Sequence, residues 1–479
     1  MNYSIIIYIV GWILEISAAL MVLPVITAIL YGESAGVSFV ITMAVSLLLG
    51  FIIIRRKPEN KVFYTREGFV TVAVSWLTLS IVGSVPFVIS GSIPNPVNAL
   101  FETVSGFTTT GASILSDVEA LPHCVLIWRS FTHWIGGMGV LVFILCLLPL
   151  TGGYQMNLMK AESPGPSVSR LVPKVRSTAI ILYKIYMVLT VLQIIALLLC
   201  GMPLFDTLCT AFGTAGTGGF GVKNSSIGGY NTAIQIVTTV FMILFGVNFN
   251  VYYLIKIRKI KPAFLVEEIR YYFGVILLSI ILIASNCRSL FPSMARSFQQ
   301  AAFQVGSIVT TTGFSTTDFD QWPGFSKTIL VLLMFMGACA GSTGGGIKVS
   351  RLVILVKTVK KEIQILLHPN AVKKVKMDNK VIAHEVVRAT NIFMVVYIFL
   401  FAASVLVVSI NNFDMTTNFT AVAATFNNIG PGLSLVGPTC NFDLFSPLSK
   451  IVLIFDMLAG RLEIFPMLIL LVPSTWKKF

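Results

Sequence analysis

Four short segments of the chain share a residue pattern that could bind a monovalent cation. Each has an apolar stretch of roughly ten residues, too short to cross a bilayer, followed by Thr or Asn and then Gly. The segments read ALFETVSGFTTTGAS from Ala99, LFDTLCTAFGTAGTGGFG from Leu204, AAFQVGSIVTTTGFST from Ala301 and NFTAVAATFNNIGPGLS from Asn418. We name them the first to fourth repeat segments. Their converging backbone carbonyls could replace the water shell of a dehydrated potassium ion.

Glycine has a specific use in such a segment. Successive carbonyls point to one axis only where positive φ is available, and positive φ costs other residues energy. The second segment reads GTAGTGG, which leaves either of two glycines possible. One such sequence would fit an ordinary loop, but four occurrences favour a shared function. The predicted potassium-binding residues of a selectivity filter are Thr109, Thr110 and Gly111; Thr217, Gly218 and Gly219; Thr311, Thr312 and Gly313; and Asn428, Ile429 and Gly430.

The elements that position these residues must dip into the membrane and return. A short helix can enter halfway, and the chain can then turn back as extended backbone. Such backbone survives at membrane depth only when it is buried in protein or lines water. The helix would also point its partly negative carboxyl end at the cavity below. This arrangement favours cations and opposes anions.

Residues 337–346 read GACAGSTGGG and interrupt the apolar run that follows the third segment. We name them the glycine loop. Each glycine costs a helix about 1 kcal/mol relative to alanine, so the run is predicted to break here. The loop would line the water-filled path below the filter, as a candidate gate. Close helix packing through small residues is the alternative. The candidate gate residues are Gly337, Gly341, Gly344, Gly345 and Gly346, together with Arg461.

Arg461 lies in the last apolar run, between Asp456 and Glu463. An arginine at the centre of a membrane helix costs at least about 2.5 kcal/mol, so it should face the pore or a carboxylate. Facing the pore, its charge would limit the passage of cations. A structural ion pair with either carboxylate is the alternative, and both can hold together. Lys348 and Arg351 are expected to snorkel to the inner surface.

The composition is that of a membrane protein. The 479 residues are 56% hydrophobic and 11% charged, whereas a globular domain carries roughly 25% charged residues. The net charge of +14 comes largely from basic residues in the short connections between apolar runs. Basic residues in this position are explained by their role in orienting the chain in the membrane, and nucleic-acid binding is not needed to explain them. Seven scattered cysteines without a C-x-x-C pair predict packing rather than a metal site.

Apolar runs and chain breakers predict about ten membrane spans. The first run lacks a basic start and is interpreted as a retained span, not a signal peptide. Basic residues fill alternate connections, so both termini are predicted to be cytoplasmic. The spans are predicted near 3–30, 35–54, 67–91, 124–150, 177–200, 231–256, 270–287, 325–358, 388–410 and 447–472.

An ordered set of motifs resembles one family over essentially the whole chain. The motifs are GFTTTGAS at Gly106, WIGGMG at Trp134, TGGFG at Thr217, TTTGFST at Thr310, AGSTGGGIKVSR at Ala340, NNIGPGLS at Asn427 and AGRLEIF at Ala459. Together they resemble the TrkH/TrkG branch of the Trk, Ktr and HKT superfamily of potassium transporters. Ktr subunits lack the first two helices, so the early spans favour the Trk branch. Gly111 matches the potassium-type residue, where a serine in plant relatives goes with sodium.

The resemblance implies an all-α membrane protein of the bacterial inner membrane that takes up potassium. Four repeated helix–pore loop–helix units would form a pseudo-fourfold, potassium-channel-like pore, preceded by two N-terminal transmembrane helices. It also implies a homodimer, a cytosolic nucleotide-binding TrkA-like regulatory ring, the glycine loop as gate and Arg461 as a pore-facing residue. Potassium is then the bound substrate, membrane lipid surrounds the chain, and no covalent cofactor is expected. The units are placed at 1–62 for the N-terminal helices, then 63–160, 161–262, 263–375 and 376–479.

Rival functions make different demands on the sequence. A sodium- or proton-coupled secondary transporter would place ionisable residues at the midplane of inverted repeats. Here the repeats share one orientation and the filters lack carboxylates. An intramembrane enzyme would need a nucleophile with a base, and His133, the one histidine well inside a span, has no evident partner in the sequence. A purely structural protein would not need four glycine-bearing segments.

Overall fold

The computed structural model describes residues 1–58, 63–139, 175–370 and 373–477, and most of them are helical. Six helices in these ranges are long and apolar enough to cross a membrane, and a bent pair adds a seventh. The predicted, predominantly helical fold with several apolar spans is confirmed. A small antiparallel hairpin joins β1 (Lys376–Met377) to β2 (Lys380–Val381).

The N-terminal helices form a tight hairpin. They are α1 (Tyr3–Leu20), α2 (Val22–Tyr31) and α3 (Gly36–Arg55). A Cβ built on Gly50 would lie 3.0 Å from the carbonyl oxygen of Gly11, so the two glycines let α1 and α3 approach closely. Gly32 ends α2 with φ +67°, the left-handed angle common after a helix.

The rest of the described chain repeats one order of helices, which is a long helix, then a short helix, then one or more further helices. The first set is α4 (Thr65–Ile89), α5 (Pro96–Phe107) and α6 (His123–Gly137). The second is α7 (Val175–Leu199), α8 (Leu204–Gly216), α9 (Thr232–Phe245) and α10 (Phe249–Lys256). The third is α11 (Ile260–Leu265), α12 (Glu267–Asn286), α13 (Met294–Val309), α14 (Gly324–Met336) and α15 (Val349–Leu367). The fourth is α16 (His384–Val408), α17 (Met415–Phe426), α18 (Pro447–Arg461) and α19 (Phe465–Leu471).

The short helices α5, α8, α13 and α17 carry the apolar stretches of the four repeat segments. Three of them start at a side chain that accepts a backbone N–H of the first turn, as an N-cap should. These N-caps are Asn95, Ser293 and Asp414. α8 instead begins directly after Pro203.

Two predicted continuous spans are wrong. The span at 231–256 bends by 89° between α9 and α10, where the Asn248 side chain accepts from the N–H of Asn250 at 3.0 Å and starts the second helix. The span at 447–472 breaks after Arg461, where Glu463 and Ile464 have φ of +57° and +71°. The predicted break at the glycine loop is present between α14 and α15. The end of the span at 124–150 and the unit boundaries at 62 and 160 lie outside the described residues.

Candidate functional site

The four repeat segments share one backbone conformation around the filter glycine. One residue has a left-handed φ, and the glycine two positions later has another. Alternation of left- and right-handed angles turns successive carbonyls to the same side of the chain. The left-handed residues are Thr109 (+57°), Thr217 (+55°), Thr311 (+58°) and Asn428 (+55°), followed by Gly111 (+80°), Gly219 (+82°), Gly313 (+85°) and Gly430 (+101°).

This pattern distinguishes the two glycines of the second segment. Gly219 has the positive φ of the other three glycines, and Gly218 does not. Gly218 therefore occupies the position that Thr110 has in the first segment. A left-handed threonine or asparagine costs of order 1–3 kcal/mol, and such residues cluster at functional sites.

The glycines also join the segments into a closed ring. A Cβ built on each glycine would collide with, or press against, a carbonyl oxygen of the next segment in order. Only glycine can occupy these four positions without displacing that carbonyl. The distances from the built Cβ to the oxygen are 2.1 Å from Gly111 to Gly218, 2.1 Å from Gly219 to Thr312, 2.0 Å from Gly313 to Ile429 and 2.9 Å from Gly430 to Thr110.

One cavity of about 160 Å³ opens on this ring and is lined by all four glycines, Gly111, Gly219, Gly313 and Gly430. Its charged lining residues are Arg129 and Lys223, and none of the described residues that line it is Asp or Glu. Lys223 lies over the ring of Tyr230 at 4.2 Å. Attraction of a cation here would therefore rest on backbone carbonyls and helix carboxyl ends.

Glu102 of the first segment and Arg129 of α6 form a buried ion pair. The two side chains are 2.7 Å apart, with exposed fractions of 0% and 2%. Glu102 also accepts from the N–H of Ile114 at 3.0 Å, while Arg129 lies 4.1 Å over the ring of Phe220. The pair links the chain beyond the first filter sequence to that of the second. We did not predict it, although a glutamate inside the apolar stretch ALFETV signals a buried partner.

His133 links the same two segments through its ring nitrogens. Nδ1 lies 2.7 Å from the carbonyl oxygen of Gly106, and Nε2 accepts from the N–H of Phe220 at 3.2 Å. These two partners are backbone groups, and neither is the nucleophile or base that an intramembrane enzyme would need. Sequence patterns of side chains do not reveal such partners.

At the mouth of this cavity, Asn224 links the second segment to the loop after the first. Its side chain donates to Asp117 at 2.8 Å, and this hydrogen bond lowers the pKa of Asp117. Asp443, in the loop before α18, accepts from Lys450 of α18 at 2.7 Å and from Asn98 of α5 at 2.8 Å. The Lys450 bond is the main cause that lowers the pKa of Asp443. Both carboxylates remain charged at neutral pH and hold neighbouring segments together.

The glycine loop lies against the inner ends of the third and fourth segments. Gly345 donates its N–H to the Thr311 hydroxyl at 2.6 Å. A Cβ on Gly345 would lie 2.7 Å from the carbonyl oxygen of Asn427, and one on Gly344 would lie 2.9 Å from that of Thr310. The absence of a side chain at Gly344 and Gly345 lets the loop approach these carbonyls closely. The other three predicted gate glycines have positive φ, namely Gly337 (+69°), Gly341 (+70°) and Gly346 (+73°).

Arg461 is the last residue of α18, and its guanidinium reaches three parts of the site. Nη1 donates to the carbonyl oxygen of Thr343 in the loop at 2.8 Å and to the Thr109 hydroxyl at 3.2 Å. Nη2 donates to the carbonyl oxygens of Gly136 and Gly137 at 2.5 and 2.8 Å. The latter two end α6, where a cation is favoured by the helix dipole. Arg461 thus connects the loop to the first segment.

The carboxylates near Arg461 in sequence have other partners. Asp456 accepts from the Ser404 hydroxyl at 2.7 Å, and Glu463 pairs with Arg351. Arg351 is 5% exposed and lies 4.2 Å over the ring of Phe393. The expectation that Arg351 snorkels is wrong, because the break after α18 presents Glu463 to it. Lys348 also points inward, with Nζ on the carbonyl oxygen of Gly344.

Comparison with known proteins gives the same family over essentially the whole chain. The model of the TrkH family, described as cation transport protein, matches residues 35–478. The Trk system potassium uptake protein TrkH of Salmonella typhimurium is 37% identical over 489 residues, covering 100% of both chains. TrkG of Escherichia coli is 33% identical, over 98% of this chain and 97% of its own. The crystal structure of the potassium transporter TrkH from Vibrio parahaemolyticus superposes with a TM-score of 0.88 at 35% identity, covering 100% of each. The chain belongs to the TrkH family of cation transport proteins.

Proposed function

We propose that the protein takes up potassium across the bacterial inner membrane through a filter made by the four repeat segments. The observation that carries this proposal is the closed ring, in which four glycines of like φ each contact a carbonyl of the next segment. Rings of backbone carbonyls replace the hydration shell of potassium without a full counter-charge. The names of the relatives, which describe potassium uptake, give the same ion.

The proposed filter uses the predicted residues of each segment, with Gly219 as the filter glycine of the second. The carbonyls that meet the neighbouring glycines belong to Thr110, Gly218, Thr312 and Ile429. The carboxyl ends of α5, α8, α13 and α17 add a partial negative charge near the ring. The outer cavity is the entrance for hydrated ions.

The glycine loop and Arg461 form the proposed gate. The loop contacts the inner end of the filter through Gly345 and Thr311, and the Arg461 guanidinium lies between the loop and Thr109. A fixed positive charge at this point opposes the passage of cations. Movement of the loop would carry Thr343 away from Arg461 and open the path.

The larger architecture is proposed from the family resemblance. Residues 1–62 are the accessory helices, and the four pore units span 63–160, 161–262, 263–375 and 376–479. Both termini lie in the cytoplasm, two copies form a homodimer, and a TrkA-like ring docks on the inner face. Potassium is the transported substrate, and the protein needs no covalent cofactor.

A proton-coupled transporter is the second candidate, and one observation favours it. Asp456 is fully buried in α18, and its Oδ2 atom has no hydrogen-bond partner among the described residues. Intramembrane carboxylates of this kind serve as proton sites in transporters. Asp456→Asn should abolish the dependence of uptake on a pH gradient if coupling passes through this residue, and should leave uptake unaltered if the pore is passive.

The test of potassium conduction is rubidium uptake into proteoliposomes that hold this protein alone. Potassium and sodium are added separately as competitors. Uptake that potassium blocks and sodium barely affects supports the proposed filter. Equal block by both ions contradicts potassium selectivity. Addition of the regulatory ring distinguishes a closed pore from an absent one when the protein alone gives no uptake.

A further inference from the structure

Glu268 is a buried carboxylate that accepts hydrogen bonds from the glycine loop and from the first turn of the helix that follows it. It lies in the first turn of α12 and is 2% exposed. Its Oε1 accepts from the N–H of Ala340 at 2.7 Å and from that of Ser350 at 3.2 Å. Ala340 belongs to the loop, and Ser350 lies in the first turn of α15. That turn has a partial positive charge, which favours a carboxylate.

The bend between α9 and α10 forms the seat against which the loop rests. The N–H of Cys339 donates to the carbonyl oxygen of Gly246 at 3.1 Å, and the N–H of Phe249 donates to that of Gly341 at 3.0 Å. Asn248, at the bend, donates from Nδ2 to Oε2 of Glu268 at 3.3 Å. The carboxylate therefore bonds to the loop and to its seat at the same time.

We propose that Glu268 is the positioning residue that holds the glycine loop beneath the filter, with the bend at residues 246–249 as its seat. The inference rests on the proposed gate function of the loop. Thr311 and Arg461 contact the loop at Gly345 and Thr343, and Glu268 holds it at Ala340. Without the carboxylate, the buried N–H groups of Ala340 and Ser350 lose their acceptor and must move to find another.

Glu267 supplies a matched control one residue away. Its carboxylate pairs with Lys357 at 2.5 Å, and it exchanges hydrogen bonds with Asp378 of the β hairpin at 2.7 and 3.3 Å. It has the same charge and the same helix end, but its partners lie further along α15 and in the β hairpin, and none of them belongs to the loop. Glu267→Gln should therefore leave the loop in place.

Cys339 reports directly on the loop because it is native to it and fully buried. The full-length protein in proteoliposomes is treated with N-ethylmaleimide, and labelling of the Cys339 peptide is followed by mass spectrometry. Cys209 in α8, also fully buried, reports on general unfolding. Glu268→Ala should raise the Cys339 labelling rate by about tenfold or more, the effect of losing one hydrogen bond to a charged group. Glu268→Gln should give a smaller increase, because its amide oxygen still accepts from Ala340.

The labelling and the flux answer different questions. Faster Cys339 labelling together with faster rubidium flux, at unchanged preference for potassium, supports both Glu268 as the residue that holds the loop and the loop as the gate. A gain of flux is an effect that general destabilisation does not produce. Faster labelling without a change in flux supports Glu268 as the anchor and contradicts the loop as the gate. If Glu268→Ala also exposes Cys209, the comparison uses Glu268→Gln, and Cys339 labelling equal to the parent in that folded variant overturns the inference.

Discussion

Removal of the Arg461 charge should increase cation flux strongly. The guanidinium lies 3.2 Å from the Thr109 hydroxyl at the inner end of the proposed filter. An ion next to that hydroxyl would lie about 6 Å from the guanidinium, where two unit charges repel by about 3 kcal/mol at an effective dielectric constant of about 20. Arg461→Ala should therefore raise the flux by about a hundredfold where this barrier limits transport. Loss of the bond to Thr343 acts in the same direction.

Arg461→Lys is the matched control, since it keeps the charge but not the planar fork of donors. The flux of Arg461→Lys should exceed that of the parent protein, but by a far smaller factor than the flux of Arg461→Ala does. The assay is the initial rate of rubidium uptake per reconstituted protein, measured with potassium and sodium as competitors. Equal rates for the parent and Arg461→Ala would refute the electrostatic barrier. Equal gains in both variants would assign the effect to lost hydrogen bonds instead of charge.

Three further predictions test other parts of the site. Gly111→Asp and Gly430→Asp should abolish rubidium uptake or remove its preference for potassium, since any side chain meets the next segment's carbonyl. Glu102→Gln should lower stability by about 3 kcal/mol because Arg129 stays buried without its partner, seen as a lower unfolding midpoint, whereas exposed Glu362→Gln should not. The lowered pKa of Asp443 predicts that its stabilising bond with Lys450 is complete above the unfolded value of 3.8 and is lost as the pH falls further, measured by hydrogen exchange of the 439–446 loop.

The sequence identifies the four segments of the proposed filter but not how they meet. An apolar stretch followed by Thr or Asn and then glycine is a local feature that predicts the short helices, and clustered glycines predict the break at the glycine loop. The order of the ring depends on contacts between residues far apart in the chain, such as Gly111 with Gly218 and Gly430 with Thr110. One sequence has no local signal for such contacts. For the same reason, the assignment of Gly219 over Gly218 requires φ.

The buried charges of the site depend on partners that the sequence does not identify. Glu102 with Arg129 and Glu268 with Ala340 join residues that are distant in the chain. A buried charge predicts that a partner exists, but here one partner is a side chain and the other a backbone N–H. The bend before Phe249 has no clear signal in the sequence, because GVN between two apolar runs is too short a break to end a span.

The fourth segment explains how the proposed filter can accommodate different side chains. Its sequence Asn-Ile-Gly replaces the Thr-Thr-Gly of the first and third segments, yet Asn428 has φ +55° and Gly430 is left-handed as well. Asn428 donates from Nδ2 to the Thr110 hydroxyl at 3.0 Å and to the carbonyl oxygen of Met457 at 2.8 Å, so the larger side chain is held by its neighbours. Ile429 still presents its carbonyl to Gly313. Because the proposed ligands are backbone oxygens, the φ pattern and the glycine must stay the same, while the other side chains can vary.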